Sequence, residues 1–202
     1  MSKPYELIDT QYSGNAWKVR LLSSFLDIPL KRYPQSIVDG DLNQPEIKEK
    51  NPLQRIPILR TRSGKWLPES GAILWYLAQG SSFLPKENEA EIIYWLLFEQ
   101  LEHMPNFAQP RLQIHLRKIR SVTDPDMQAY RKNGHHALKI MEKHLNKQPY
   151  LVGDQATIAD VSLYPYTQMA NEGGYELTSY PAVLKWLSRI RALPGYIPID
   201  QV

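Results

Sequence analysis

Two short stretches carry residue types that can grip a small charged molecule. Glu69-Ser70 stands directly ahead of Ala72, Ile73, Trp75, Tyr76 and Leu77, which can share one side of a helix. The first turn of a helix has unpaired backbone N–H groups and the positive end of the helix dipole. A hydroxyl placed there lies where an anion is favoured. Both residues also have structural readings, Ser70 as a cap on its own helix and Glu69 as a solvated first-turn acid. The second stretch is Ile56-Pro57. Pro57 has no N–H for a sheet ladder, so it belongs at the edge or start of a strand, and the backbone beside it can serve another partner.

The elements that must position these residues follow from patterning. Residues 51–78 read as loop, strand, hairpin, strand and helix, with Arg62-Ser63-Gly64-Lys65 as the turn. Upstream, Glu6-Leu7-Ile8-Asp9 is a short strand, residues 10–15 a loop and Ala16 to Leu26 a helix, with Val19, Leu22, Phe25 and Leu26 at helical spacing. Leu30 to Val38 is a second strand interrupted by Pro34, and a short helix starts from Pro45. The order β-α-β-α, then hairpin and helix, is an α/β pattern whose last two strands run antiparallel.

Small residues and proline collect at Gly80-Ser81-Ser82-Phe83-Leu84-Pro85, and strand signals fade beyond. A helical pattern from Glu89 to Lys118 should bend or break at Pro105 and Pro110, since each removes a backbone donor. Further helices are expected from Asp124-Pro125 to about Lys147, from Thr157, and after Tyr180-Pro181, the last stopped by Leu193-Pro194-Gly195. The tail from Tyr196 is expected to pack on the surface. The division expected is an α/β domain over 1–80, a linker over 81–88 and an all-helical domain over 89–202. Thr157-Ile158-Ala159-Asp160 has capping-box spacing, and loss of such a cap costs about 0.5–2 kcal/mol.

Composition narrows the function classes. Apolar content of 43% over 202 residues suits a chain that buries a core. The net charge of +3 comes without a basic block, which disfavours nucleic acid and suits attraction of a small anion. Absence of cysteine removes disulfides, thiolate metal sites and a cysteine nucleophile. His135 and His136 are adjacent and point to different sides of a helix, a poor metal pair, and no metal is expected. No signal core and no bilayer-length apolar stretch is present, so a cytoplasmic protein without membrane partners is expected.

Asn51-Pro52, Ile56-Pro57 and Glu69-Ser70, in that order, resemble the glutathione site of the cytosolic glutathione transferases. Leu151-Val152-Gly153-Asp154 and the Thr157–Asp160 box are similar to the family's all-helical domain. The resemblance covers nearly the whole chain and implies a thioredoxin-like α/β domain followed by an all-α helical bundle. It implies a cis bond at Pro57 that turns the Ile56 N–H and C=O outward to the cysteinyl part of glutathione. Ser70 would hold the γ-glutamyl carboxylate and Glu69 the ammonium, while Gln54 or Arg55 would reach the glycyl carboxylate. Arg55 reads equally as an exposed solvated charge.

For the sulfur, Ser13-Gly14-Asn15 followed by Lys18-Val19-Arg20 resembles the Ser-type bacterial and zeta-like members and selects Ser13, with Thr10, Tyr12 and Asn15 as alternatives. Ser13 also reads as the N-cap of the following helix. A free thiol ionises near 8.5, so lowering that by about two units takes ~2.7 kcal/mol of differential stabilisation. The resemblance implies glutathione as co-substrate, a small hydrophobic electrophile, a homodimer and transfer to the electrophile. A glutathione-dependent peroxidase or isomerase, or a non-catalytic binding protein, shares the same fold.

Overall fold

The structure, a computed structural model, describes residues 4–36 and 40–201. Residues 37–38, the end of the expected second strand, lie outside the described residues. The chain divides into two compact units, Met1–Ser81 with Leu193–Val202, and Ser82–Ala192.

The first unit carries a four-stranded sheet of order β2-β1-β3-β4 among the described residues. Strand β1 (Tyr5–Asp9) pairs in parallel with β2 (Leu30–Pro34) and antiparallel with β3 (Ile58–Arg60), which pairs antiparallel with β4 (Trp66–Pro68). Helices α1 (Gly14–Phe25), α2 (Pro45–Lys50) and α3 (Ser70–Leu77) complete it. Side chains alternate across a sheet, so register partners share a face. Ile8 and Ile58 are partners and join Ile47 of α2 and Ile56 in one buried cluster. Leu7 and Leu59 are the next pair; they face the other way and are fully buried, and α1 and α3 pack on each other.

Residues 193–202 belong to this unit, whereas sequence periodicity attaches them to the helical half. The reason is hydrogen bonding that no local pattern displays: side chains of α1 and the loop before it donate to carbonyls of the tail.

The second unit is helical. Helix α4 (Glu89–Phe98) continues without interruption through a π-helical stretch (Glu99–His103), α5 (Met104–Pro110) and a second π-helical stretch (Arg111–Leu116). Pro105 and Pro110 therefore do not break the helix. Each lies beside π-helical turns, which absorb a missing N–H by shifting register. Helices α6 (Pro125–Leu145), α7 (Ile158–Gln168) and α8 (Pro181–Arg191) follow, and α6 and α8 open with proline at a first-turn position where no donor is needed. No helix among the described residues is long and apolar enough to cross a membrane.

Three rings form a stack in this unit. His103 lies 4.3 Å from Phe107, and Phe107 lies 4.4 Å from Tyr175, with interplanar angles of 23° and 21°. The Tyr175 hydroxyl donates to the carbonyls of Asn106 and Tyr130, and burial pushes its phenol pKa up. Gly134 of α6 lets this ring through. A Cβ there would land on the Tyr175 hydroxyl and lie 2.7 Å from the ring carbons, which the stack and two hydrogen bonds hold in place. Gly134→Ala should therefore destabilise by about 2 kcal/mol despite alanine's better helix propensity, read as a lower denaturant midpoint. An unchanged or higher midpoint would contradict this packing.

Candidate functional site

Register brings the expected site segments to one end of the sheet. Ile8 is opposite Ile58, and Ile58 is opposite Pro68. The loop after β1, the residues before β3 and the residues after β4 therefore all emerge together. They carry Ser13, Gln54-Arg55-Ile56 and Glu69-Ser70 respectively. Helices α1 and α3 both begin there. β1 and β4 flank β3, so the strand ends that lead to the two helices are separated by about two strand spacings, ~10 Å.

At α1, Ser13 is the N-cap and its Oγ accepts from the Ala16 N–H at 3.2 Å. The capping role is thus present. It uses a lone pair and leaves the hydroxyl proton to donate elsewhere, so capping and anion contact are compatible. The Ser13 N–H donates to the Thr10 carbonyl at 3.3 Å, tightening the loop. Of the alternatives, Thr10 is 7% exposed and Tyr12 is 55% exposed. Asn15, the second residue of α1, holds its Oδ1 buried, with no hydrogen-bond partner among the described residues. A buried acceptor without a partner is costly, which keeps Asn15 among the candidates for a polar contact.

At β3, the Ile56–Pro57 bond is cis. Neither the N–H nor the C=O of Ile56 bonds to a described residue, although Ile56 is only 9% exposed. The loop ahead of it is organised by Asn51, which is 1% exposed. Its Nδ2 donates to the Arg55 carbonyl at 2.8 Å, its Oδ1 accepts from the Leu53 N–H at 3.1 Å, and its carbonyl accepts from the Gln54 N–H at 2.8 Å. The Asn-Pro motif is visible in sequence, but this threefold role needs the structure. Gln54 has φ 52 and is half-buried; the Arg55 side chain is exposed.

At α3, the N-cap is Glu69, not Ser70, and it makes no side-chain cap bond. Ser70 is the first helical residue, is 3% exposed, and its hydroxyl bonds to no described residue. Ser70 thus does not cap its own helix, and the first-turn amides remain open to an anion. Glu69 holds φ 69 and ψ 115, a conformation side chains avoid and one that costs about 1–3 kcal/mol. The distortion leaves its carboxylate exposed beside Ser70.

In the helical unit, Phe107, Arg111 and Tyr164 are buried. Phe107 sits in the ring stack, Arg111 pairs with Glu172 at 2.6 Å, and Tyr164 packs edge-on to Trp186. Met104 is half-buried.

Comparison with known proteins agrees with this arrangement. The profile of the glutathione S-transferase N-terminal domain matches residues 12–79, and that of the C-terminal domain matches residues 105–194. A glutathione S-transferase from Pseudomonas fluorescens has a similar crystal structure, at 35% identity and TM-score 0.95, over 98% of this chain and 100% of that one. The glutathione S-transferase-like protein tpcF of Aspergillus fumigatus is 30% identical over 90% of this chain and 88% of its own.

This chain belongs to the glutathione S-transferase family.

A further relative is named for different chemistry: the disulfide-bond oxidoreductase YfcG of Escherichia coli is 27% identical over 90% of this chain and 87% of its own. As in other glutathione S-transferases, a thioredoxin-like unit here precedes a helical one.

Proposed function

We propose that this chain binds glutathione across the start of β3 and conjugates its thiolate to small apolar electrophiles. The observation that carries the reading is the joint placement of Ser13, the unpaired Ile56 backbone and the Glu69-Ser70 pair at one end of the sheet. The ~10 Å between the strand ends that lead to the two helices is close to the length of an extended tripeptide. In this pose the γ-glutamyl carboxylate lies on the Ser70 hydroxyl and the α3 amides, and Glu69 takes the ammonium. Ile56 pairs its N–H and C=O with the cysteinyl residue like an added strand. Gln54 or Arg55 meets the glycyl carboxylate. The thiol reaches the start of α1, where the Ser13 hydroxyl donates to sulfur and the helix dipole favours the thiolate. The thiolate attacks the electrophilic carbon, the new C–S bond forms and the leaving group departs with its electron pair.

Glutathione supplied as free thiol fits a reducing cytoplasm. A row of exposed apolar residues on α4 and its extension, Ile93, Tyr94, Leu97 and Leu101, fits pairing with a second copy. Removal of reactive electrophiles is the cellular role this chemistry would serve.

A second reading draws on the similarity to YfcG. Here one glutathione thiolate attacks a disulfide sulfur, the S–S bond breaks and a thiolate leaves. A second glutathione then displaces the remaining thiol and forms oxidised glutathione. No protein cysteine is needed, which accords with a chain that has none. Parallel assays with an aryl halide, a hydroperoxide and a small disulfide separate the readings. Turnover of the halide above the disulfide supports the first, and the reverse supports the second. Saturable glutathione binding with no turnover of any of the three would leave a non-catalytic binding protein.

The strained Glu69 supplies another test. Glu69→Gly should raise folding stability by about 1 kcal/mol, because glycine adopts positive φ freely, while weakening glutathione binding about tenfold. Denaturant unfolding and calorimetric titration read the two effects. Loss of stability, or unaltered affinity, would contradict the assigned role.

A further inference from the structure

Four side chains, of Gln11 in the sulfur loop and of Trp17, Arg20 and Ser24 along α1, donate to backbone carbonyls of the C-terminal segment. Ser24 Oγ reaches Gly195 at 2.7 Å, Trp17 Nε1 reaches Ile197 at 2.9 Å, Arg20 Nη2 reaches Ile199 at 3.1 Å and Gln11 Nε2 reaches Asp200 at 2.8 Å. The same Arg20 Nη2 donates to the Gln11 carbonyl at 2.8 Å. Gln11 is thus tied to the tail by its own side chain and through Arg20, two residues ahead of Ser13. Below them Asp9, the fully buried last residue of β1, faces Arg20 at 3.7 Å and Arg32 at 3.0 Å. The close approach depends on Gly195. It has φ 82, and a Cβ there would lie 3.0 Å from the Ser24 carbonyl oxygen.

We propose that Arg20 is a positioning residue of the sulfur site. It clamps the Gln11 carbonyl to the C-terminal segment, and the clamp fixes the loop that aims the Ser13 hydroxyl at the thiol. This rests on the glutathione reading above. Hydrogen bonds weaken steeply as they misalign, so a loosened loop forfeits the contact with sulfur while leaving the contacts at the other end of the tripeptide intact. Arginine suits the task because one guanidinium nitrogen, Nη2, serves two carbonyls while the group keeps its charge beside Asp9. Burial pulls the Arg20 guanidinium down to about 10, with Asp9 holding it up, so it keeps its charge at neutral pH. A lysine would keep the charge and lose the bridge.

The test compares the native chain, Arg20→Lys, a chain ending at Pro194, and the two changes combined. The ultraviolet absorbance of bound glutathione thiolate against pH gives the thiol pKa, and calorimetry gives Kd. Each single change is expected to raise the thiol pKa by about one unit, with Kd altered less than about threefold. The combination is expected to add nothing to the effect of the shortened chain, because Arg20 acts through the tail. An unmoved thiol pKa, or additive shifts, overturns the proposal. Amide hydrogen exchange over residues 11–13 reads the clamp without ligand and is expected to quicken about tenfold in either variant. Normal glutathione binding with unchanged exchange overturns the clamp alone. A native chain that binds no glutathione overturns the functional reading and the thiol assignment together.

Discussion

Ser13→Ala should lower kcat/KM for conjugation about thirtyfold near pH 6.5, a loss of ~2 kcal/mol in the range measured for hydrogen bonds to charged groups. The defect should shrink as pH rises past about 8.5, where an unassisted thiol ionises by itself. The hydroxyl is the only part removed that can meet sulfur. The backbone of the cap persists, and loss of the Ala16 contact costs about 1 kcal/mol of stability. Affinity for glutathione should change little, since the carboxylates and ammonium are held elsewhere. Initial rates across pH check this. An undiminished rate at low pH would move the sulfur contact to Asn15, whose buried Oδ1 bonds to no described residue.

Asp160→Ala should cost about 4 kcal/mol and lower the melting temperature by about 10 °C, a large part of the stability of an ordinary domain. The carboxylate is fully buried and accepts from the Leu151 N–H at 2.9 Å, the Thr157 N–H at 2.9 Å, the Thr157 hydroxyl at 3.2 Å and the Trp186 Nε1–H at 2.8 Å. It thus fastens the loop before α7 and the ring of α8 as well as its own helix. Burial raises its pKa while those donors pull it back. Asp160→Asn, which keeps an acceptor and the volume, should cost roughly half as much. A cost below about 1 kcal/mol for the alanine variant would show that the site is only an ordinary cap.

The two cases differ in how much the sequence reveals. The capping box at Thr157–Asp160 is a local spacing, so it is legible, and so are the prolines that open α2, α6 and α8. The reach of Asp160 to Trp186 is not, because 26 residues separate them. The break expected as one outcome at Pro105 and Pro110 does not occur, for a related reason. The rule that proline breaks a helix counts the lost donor but not the π-helical turns that accommodate it. At the site, the order of short motifs locates three segments, and strand register brings them to one end of the sheet. The supports escape sequence reading. Asn51 acts through backbone groups of its own loop, and Arg20 acts on a carbonyl 179 residues away.

Titration of the native chain with glutathione, followed by backbone amide shifts, tests the central claim most directly. Saturable shifts confined to residues 13–16, 54–56 and 69–72 are the predicted result, with the largest at the starts of α1 and α3. No saturable shifts, or shifts centred on any other part of the molecule, would contradict it.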